Sequence, residues 1–116
     1  MRKILQQLNQ EVGVKGSMVI SPDGLVIMEE LGEDLDHQIV AAMASNMLQA
    51  IKNGLGMLGQ DKFSRLILMS AHGRIVFVDI EQACLLVVTD RNLNIDWTLM
   101  EIDGVAHRLK NSWKIE

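Results

Sequence analysis

The sequence predicts an α/β (α+β) chain in the order helix, two strands, helix, three strands, helix, with an antiparallel five-stranded sheet covered by helices on both faces. Three observations carry this prediction. Apolar residues recur at helical spacing in three separate stretches. Short β-rich runs are divided by tight-turn residues. Several of those runs, Leu66-Ile67-Leu68-Met69 and Leu85-Leu86-Val87-Val88 among them, are apolar on successive residues, the pattern of strands covered on both sides.

The elements follow in order. Ile4, Leu5, Leu8 and Val12 keep helical spacing over residues 2 to 12, with Gly13 as the stop. Ser17 to Ser21 and Leu25 to Met28 flank Pro22-Asp23-Gly24, where proline presets φ and glycine accepts the positive φ that closes a hairpin. Glu29 to Asp34 reads as an acidic linker ending at Asp36, the expected N-cap of a long helix that runs to Gly59. Arg65 to Ser70, Arg74 to Ile80 and Ala83 to Thr89, joined by Ala71-His72-Gly73 and Glu81-Gln82, predict a meander. A last helix carries Ile95, Leu99, Ile102, Ala106 and Leu109 on one face, with Asn94 and Asp96 at its start and Lys114 among its late charges.

The long helix holds most of the information. From Gln38 to Leu58 its only ionisable side chain is Lys52, and Ile39, Val40, Met43, Ala44, Met47, Leu48, Ile51, Leu55 and Leu58 recur at steps of three and four. Its polar residues, Gln38, Ser45, Asn46, Gln49, Lys52 and Asn53, fall on one strip. The remaining apolar arc is wider than the ~100° stripe that one core covers. The helix therefore needs a sheet on one side and a second partner on another, and an edge position for Leu66 to Met69 would offer unpaired backbone to a second copy. A homodimer is the expectation.

Composition excludes several classes. The 116 residues fit one domain with a core of its own, and 48% hydrophobic content supplies it. A net charge of -4, with scattered Lys and Arg, argues against a nucleic-acid partner. The polar strip and acidic flanks of the long helix argue against a membrane span. The first residues turn polar too early for a signal peptide. A lone Cys84 in an apolar run excludes a disulfide framework and suits the cytoplasm.

Gly54-Leu55-Gly56-Met57-Leu58-Gly59 spells GxGxxG, yet nucleotide binding needs those glycines after a strand and opening a helix. Here they close one, where the helix dipole has the wrong sign for phosphate. His37, His72 and His107 are too far apart in sequence for a metal motif and read as surface residues. Cys84 reads as a buried structural thiol, because an apolar strand raises a thiol pKa. No catalytic residue, metal or cofactor is predicted.

Four segments in this order carry a resemblance: Gly13-Val14-Lys15-Gly16-Ser17, Ser21-Pro22-Asp23-Gly24-Leu25-Val26-Ile27, Ala41-Ala42-Met43-Ala44-Ser45 and Gly73-Arg74-Ile75-Val76-Phe77. Nearly the whole chain resembles the Roadblock and dynein light chain family, in particular its bacterial regulators of Ras-like small GTPases of the gliding-motility type. The resemblance implies a Roadblock/profilin-like fold and a cytoplasmic homodimer. Its sheets would join through the third strand, Arg65, Leu66, Ile67, Leu68 and Met69, with Met43 and Met47 on long helices packed side by side. It also implies a Ras-like small GTPase bound through the long helix, with Ala42, Ser45, Asn46, Gln49, Lys52 and Asn53 as contacts, and, as in some such regulators, stimulation of its GTP hydrolysis with no catalytic side chain contributed. The other roles weighed are a scaffold subunit without nucleotide preference, as in dynein light chains, and a nucleotide-binding protein using Gly54 to Gly59.

Overall fold

A computed structural model describes residues 1–60, 62–71, 73–91 and 95–113. Expectations resting on Asp61, His72, Asn92 to Asn94 and Lys114 lie outside the described residues. The elements are α1 (Arg2–Asn9), β1 (Val14–Ile20), β2 (Val26–Leu31), α2 (His37–Met57), β3 (Arg65–Met69), β4 (Gly73–Asp79), β5 (Cys84–Asp90) and α3 (Ile95–Trp113). All five strands form one antiparallel sheet in the order β2-β1-β5-β4-β3. The predicted order and the meander are as expected.

Alternation along the central strands sorts side chains between two cores. Met18, Ile20, Phe77 and Leu86 point to one face, where Val40, Ala44 and Leu48 of α2 bury them. Val19, Val76, Leu85 and Val87 point to the other, under Leu5 and Leu8 of α1 and Ile102, Val105 and Leu109 of α3. The long helix thus takes one face and the terminal helices the other. A polar link ties α1 to this arrangement: the buried Ser17 hydroxyl donates to Asn9 Oδ1 at 2.8 Å, and Asn9 Nδ2 donates to the Glu30 carbonyl at 2.7 Å.

Helix α2 starts and ends as its sequence dictates. Asp36 accepts a hydrogen bond from the Ile39 backbone N–H at 3.0 Å, satisfying one of the free donors of the first turn. Gly59 adopts φ 74°, and the Gly59 and Gln60 amides donate to the Gly56 and Leu55 carbonyls at 3.1 and 2.8 Å. This is the Schellman pattern, with glycine in the left-handed position it requires. Gly54 and Gly56 lie inside the helix, so only the last glycine of GxGxxG is its stop.

Two boundaries and one burial pattern differ from expectation. Helix α1 ends at Asn9, which leaves Val12 88% exposed rather than on the buried face. Strand β2 continues through Glu29, Glu30 and Leu31, residues expected in a linker. Their charges are accommodated because Glu29 pairs with His37 at 2.7 Å and Glu30 with Arg2. Strand β5 is covered on both sides as predicted, whereas Leu68 and Met69 of β3 are exposed within the chain.

The β4–β5 connection holds a feature with no sequence signal. Glu81 has φ 70°, and the Gln82 amide donates to the Ile80 carbonyl at 2.8 Å, closing a three-residue turn around a non-glycine residue in a costly region. Its exposed pairing with Lys110 at 3.6 Å contributes little. On denaturant titration, Glu81→Gly should match or exceed the parent by up to about 1 kcal/mol, and Glu81→Val should fall below it by about that amount.

Cys84 sits on the α2 face opposite Asp79 in register. Burial, and secondarily the Asp79 charge, push its thiol from 9.0 up to about 12. The native state therefore holds this proton more tightly than the unfolded chain does, so the thiol's contribution to stability is constant below pH 9.0 and is lost as pH rises toward about 12. Urea titrations from about pH 8 to about pH 11 should show this fall, and Cys84→Ala should flatten it.

Candidate interaction surface

Helix α2 has four distinct sides. Val40, Ala44 and Leu48 are buried on the sheet, with Met43, Met47 and Ile51 half-buried at the margin. One flank touches the first hairpin: Lys52 Nζ donates to the Pro22 carbonyl at 2.8 Å, and the Ser45 hydroxyl lies 2.5 Å from where a side chain on Gly24 would begin. With Gly24 at φ 88°, both backbone conformation and contact require glycine there. Because this hairpin forms the β1–β2 side of the sheet, the opposite flank of α2 lies on the β3 side.

The expected contact residues are therefore not equivalent. Ala42, Asn46, Gln49 and Asn53 stand exposed on the outer surface of α2. Ser45 and Lys52 are half-buried and already engaged with the hairpin. The exposed residues are small or amidic and carry no formal charge, so a partner could approach the helix backbone without desolvating an ion. Gln49 and Asn53 interact only at the limit of hydrogen bonding, 3.5 Å, leaving their amides available.

On the β3 side, Ile39 and Met57 are 67% and 88% exposed, in line with Met43 and Met47 along the flank. Ala50 and Gly54 lie between them at steps of three and four. Strand β3 is an edge strand. Leu66 and Ile67 are half-buried and Leu68 and Met69 exposed, while Arg65 is anchored to Asp103 of α3 at 2.9 and 3.1 Å. The two edges of the sheet differ. The register of β3 with β4 runs unbroken from Arg65 to Met69, whereas β2 is interrupted by a bulge at Ile27 and carries Glu29 and Glu30. Bulges and charges blunt an edge against further pairing, and β3 has neither along its apolar run.

Among the described residues, no helix is long and apolar enough to cross a membrane. His37 and His107 are exposed, as expected; each is paired locally, with Glu29 and Asn111.

The Roadblock/LC7 domain model matches residues 2–90, from α1 through β5. Protein MJ1340 of Methanocaldococcus jannaschii is 32% identical over 108 residues, covering 93% of this chain and 95% of its own. Among solved structures, Myxococcus xanthus MglB superposes with a TM-score of 0.86 at 14% identity, over 97% of this chain and 86% of that one. A Roadblock/LC7 domain from Streptomyces avermitilis does so with 0.81 at 15% identity, over 98% of both. An MglB solved with a tetrameric arrangement follows at 0.78 and 16%, over 94% and 84%. At these identities the structures establish the three-helix, five-stranded fold. The family match covers most of the chain, and the chain belongs to the Roadblock/LC7 family.

Proposed function

We propose that the chain is a non-enzymatic, homodimeric regulator that binds a Ras-like small GTPase through the exposed surface of α2. The observation that carries this reading is the uncharged outer strip Ala42, Asn46, Gln49 and Asn53 on a helix whose other sides are committed. Its Roadblock/LC7 membership supports a regulator of this kind, since the resemblance noted from sequence implies such a GTPase partner. Ser45 and Lys52 act from beneath, holding the hairpin against the strip. Action on the GTPase would arise from tighter binding to one nucleotide state, which shifts that state's population without a donated catalytic group.

The dimer forms through β3 and the adjacent flank of α2. Arg65, Leu66, Ile67, Leu68 and Met69 extend the sheet across two copies, while Met43 and Met47 meet between the paired helices. Gly54 is consistent with this. Glycine in a helix interior costs about 1 kcal/mol relative to alanine, and here it meets nothing within 4 Å in its own chain. In the dimer it lets two helices approach closely.

Light scattering should report a dimer for the parent and a folded monomer for Leu68→Lys, whose side chain is exposed in the single chain. A Leu68→Lys protein that stays dimeric would remove β3 from the interface. Affinity capture with mass spectrometry should recover a small GTPase preferentially from lysate loaded with a non-hydrolysable GTP analogue rather than GDP. Asn46→Arg should weaken that capture at least about tenfold while the dimer persists. Equal recovery in both nucleotide states favours a scaffold role, and undiminished capture by Asn46→Arg displaces the contact from α2.

A further inference from the structure

At one end of the sheet, under the C-terminal half of α2, lies a cavity of about 160 Å³ lined by neither the exposed outer strip of α2 nor strand β3. The tips of the β1–β2 and β4–β5 connections, represented by Pro22 and Glu81, border it. Its floor is apolar: Leu48, Phe63 and the neutral thiol of Cys84. A lined space of about 150 Å³ accommodates a benzene ring, so this one has room for a single aromatic or branched aliphatic group.

The charges around that floor are of both signs. Lys52 and Lys62 line the cavity together with Asp79. Asp79 is the cross-strand partner of Cys84, and the electrostatic effects of Asp79 and Lys52 both reach the thiol, in opposite directions. Lys52 spends one of its three donors on the Pro22 carbonyl and keeps two. Among the described residues, the Asp79 carboxylate and the Lys62 ammonium have neither a hydrogen-bond nor an ion-pair partner, and Glu81 turns to Lys110 instead. The strained turn at Glu81 borders the same space, and backbone strain of this kind clusters at ligand sites.

We propose that this cavity binds a small zwitterion bearing one apolar group, the class to which free apolar α-amino acids belong. The apolar group rests on Leu48, Phe63 and Cys84. The ligand's ammonium pairs with Asp79, and its carboxylate accepts from Lys52 and Lys62. Apolar surface supplies affinity, and the paired charges set orientation and exclude ligands that lack either one. The site is separate from the β3 interface and stands whether or not a GTPase docks on α2.

Calorimetry on the intact protein, with phenylalanine, leucine, isoleucine and methionine as probes, tests this directly. At least one should bind saturably with a 1:1 stoichiometry per chain. On the unmodified protein, 3-phenylpropionate, which lacks the ammonium, and phenethylamine, which lacks the carboxylate, should each bind at least about tenfold more weakly than phenylalanine if that is the ligand, with the matching deaminated and decarboxylated analogues used for an aliphatic one. Asp79→Asn and Lys62→Met, both at partly or fully exposed positions, should each weaken binding by a similar factor. Cys84→Met should fill the floor and abolish binding; the analogue series, which needs no variant, decides the matter should that variant fail to fold. Absence of saturable binding for all four probes up to about 10 mM overturns the proposal. So does equal affinity for the amino acid and its charge-deleted analogues.

Discussion

An open sheet of five strands has two edges, and each presents backbone N–H and C=O groups that must find partners or water. Much of this molecule's surface chemistry follows from how differently those edges are treated. Strand β2 is bulged at Ile27, carries Glu29 and Glu30, and is braced by α1 through Asn9 and Arg2. Strand β3 is regular, apolar and anchored at one end only, by Arg65 to Asp103. The first edge is protected against association, and the second is suited to it.

The same asymmetry accounts for the composition of α2. Its inner side must match an aliphatic sheet, which requires Val40, Ala44 and Leu48. In the proposed dimer the flank beside β3 meets a second copy, which would account for exposed Ile39 and Met57 next to Ala50 and Gly54. The flank beside β1 and β2 must hold a hairpin tip, a task shared by Ser45 and Lys52. Only the narrow outer surface is left, and there the chain places small and amidic side chains in place of the lysines and glutamates that usually solvate a helix. One helix thus meets several demands because the sheet beneath it is small.

Much of this was legible in the sequence because the signals were local. Pro22-Asp23-Gly24 declares a turn, Asp36 declares a helix start, and apolar periods of three and four declare the helices. What was not legible depended on distant pairs. Glu29 and Glu30 read as a linker because their charges suggest solvent, yet His37 and Arg2 make them tolerable in an edge strand. Ser45 and Lys52 share helical spacing with Gln49 and Asn53, and only the hairpin, 21 and 30 residues earlier in contacts with Gly24 and Pro22, separates their roles. The cavity beside Cys84 draws on four separate stretches of chain, and no local pattern announces it. The strained backbone at Glu81 likewise has no residue signature.

Pairing of the β3 edge with a second copy is tested by amide hydrogen exchange as a function of protein concentration. Amides of Arg65 to Met69 should exchange slowly at high concentration and faster on dilution, while those of Val26 to Leu31 should show no such dependence. Exchange in β3 that is independent of concentration, or protection that instead appears in β2, would contradict it.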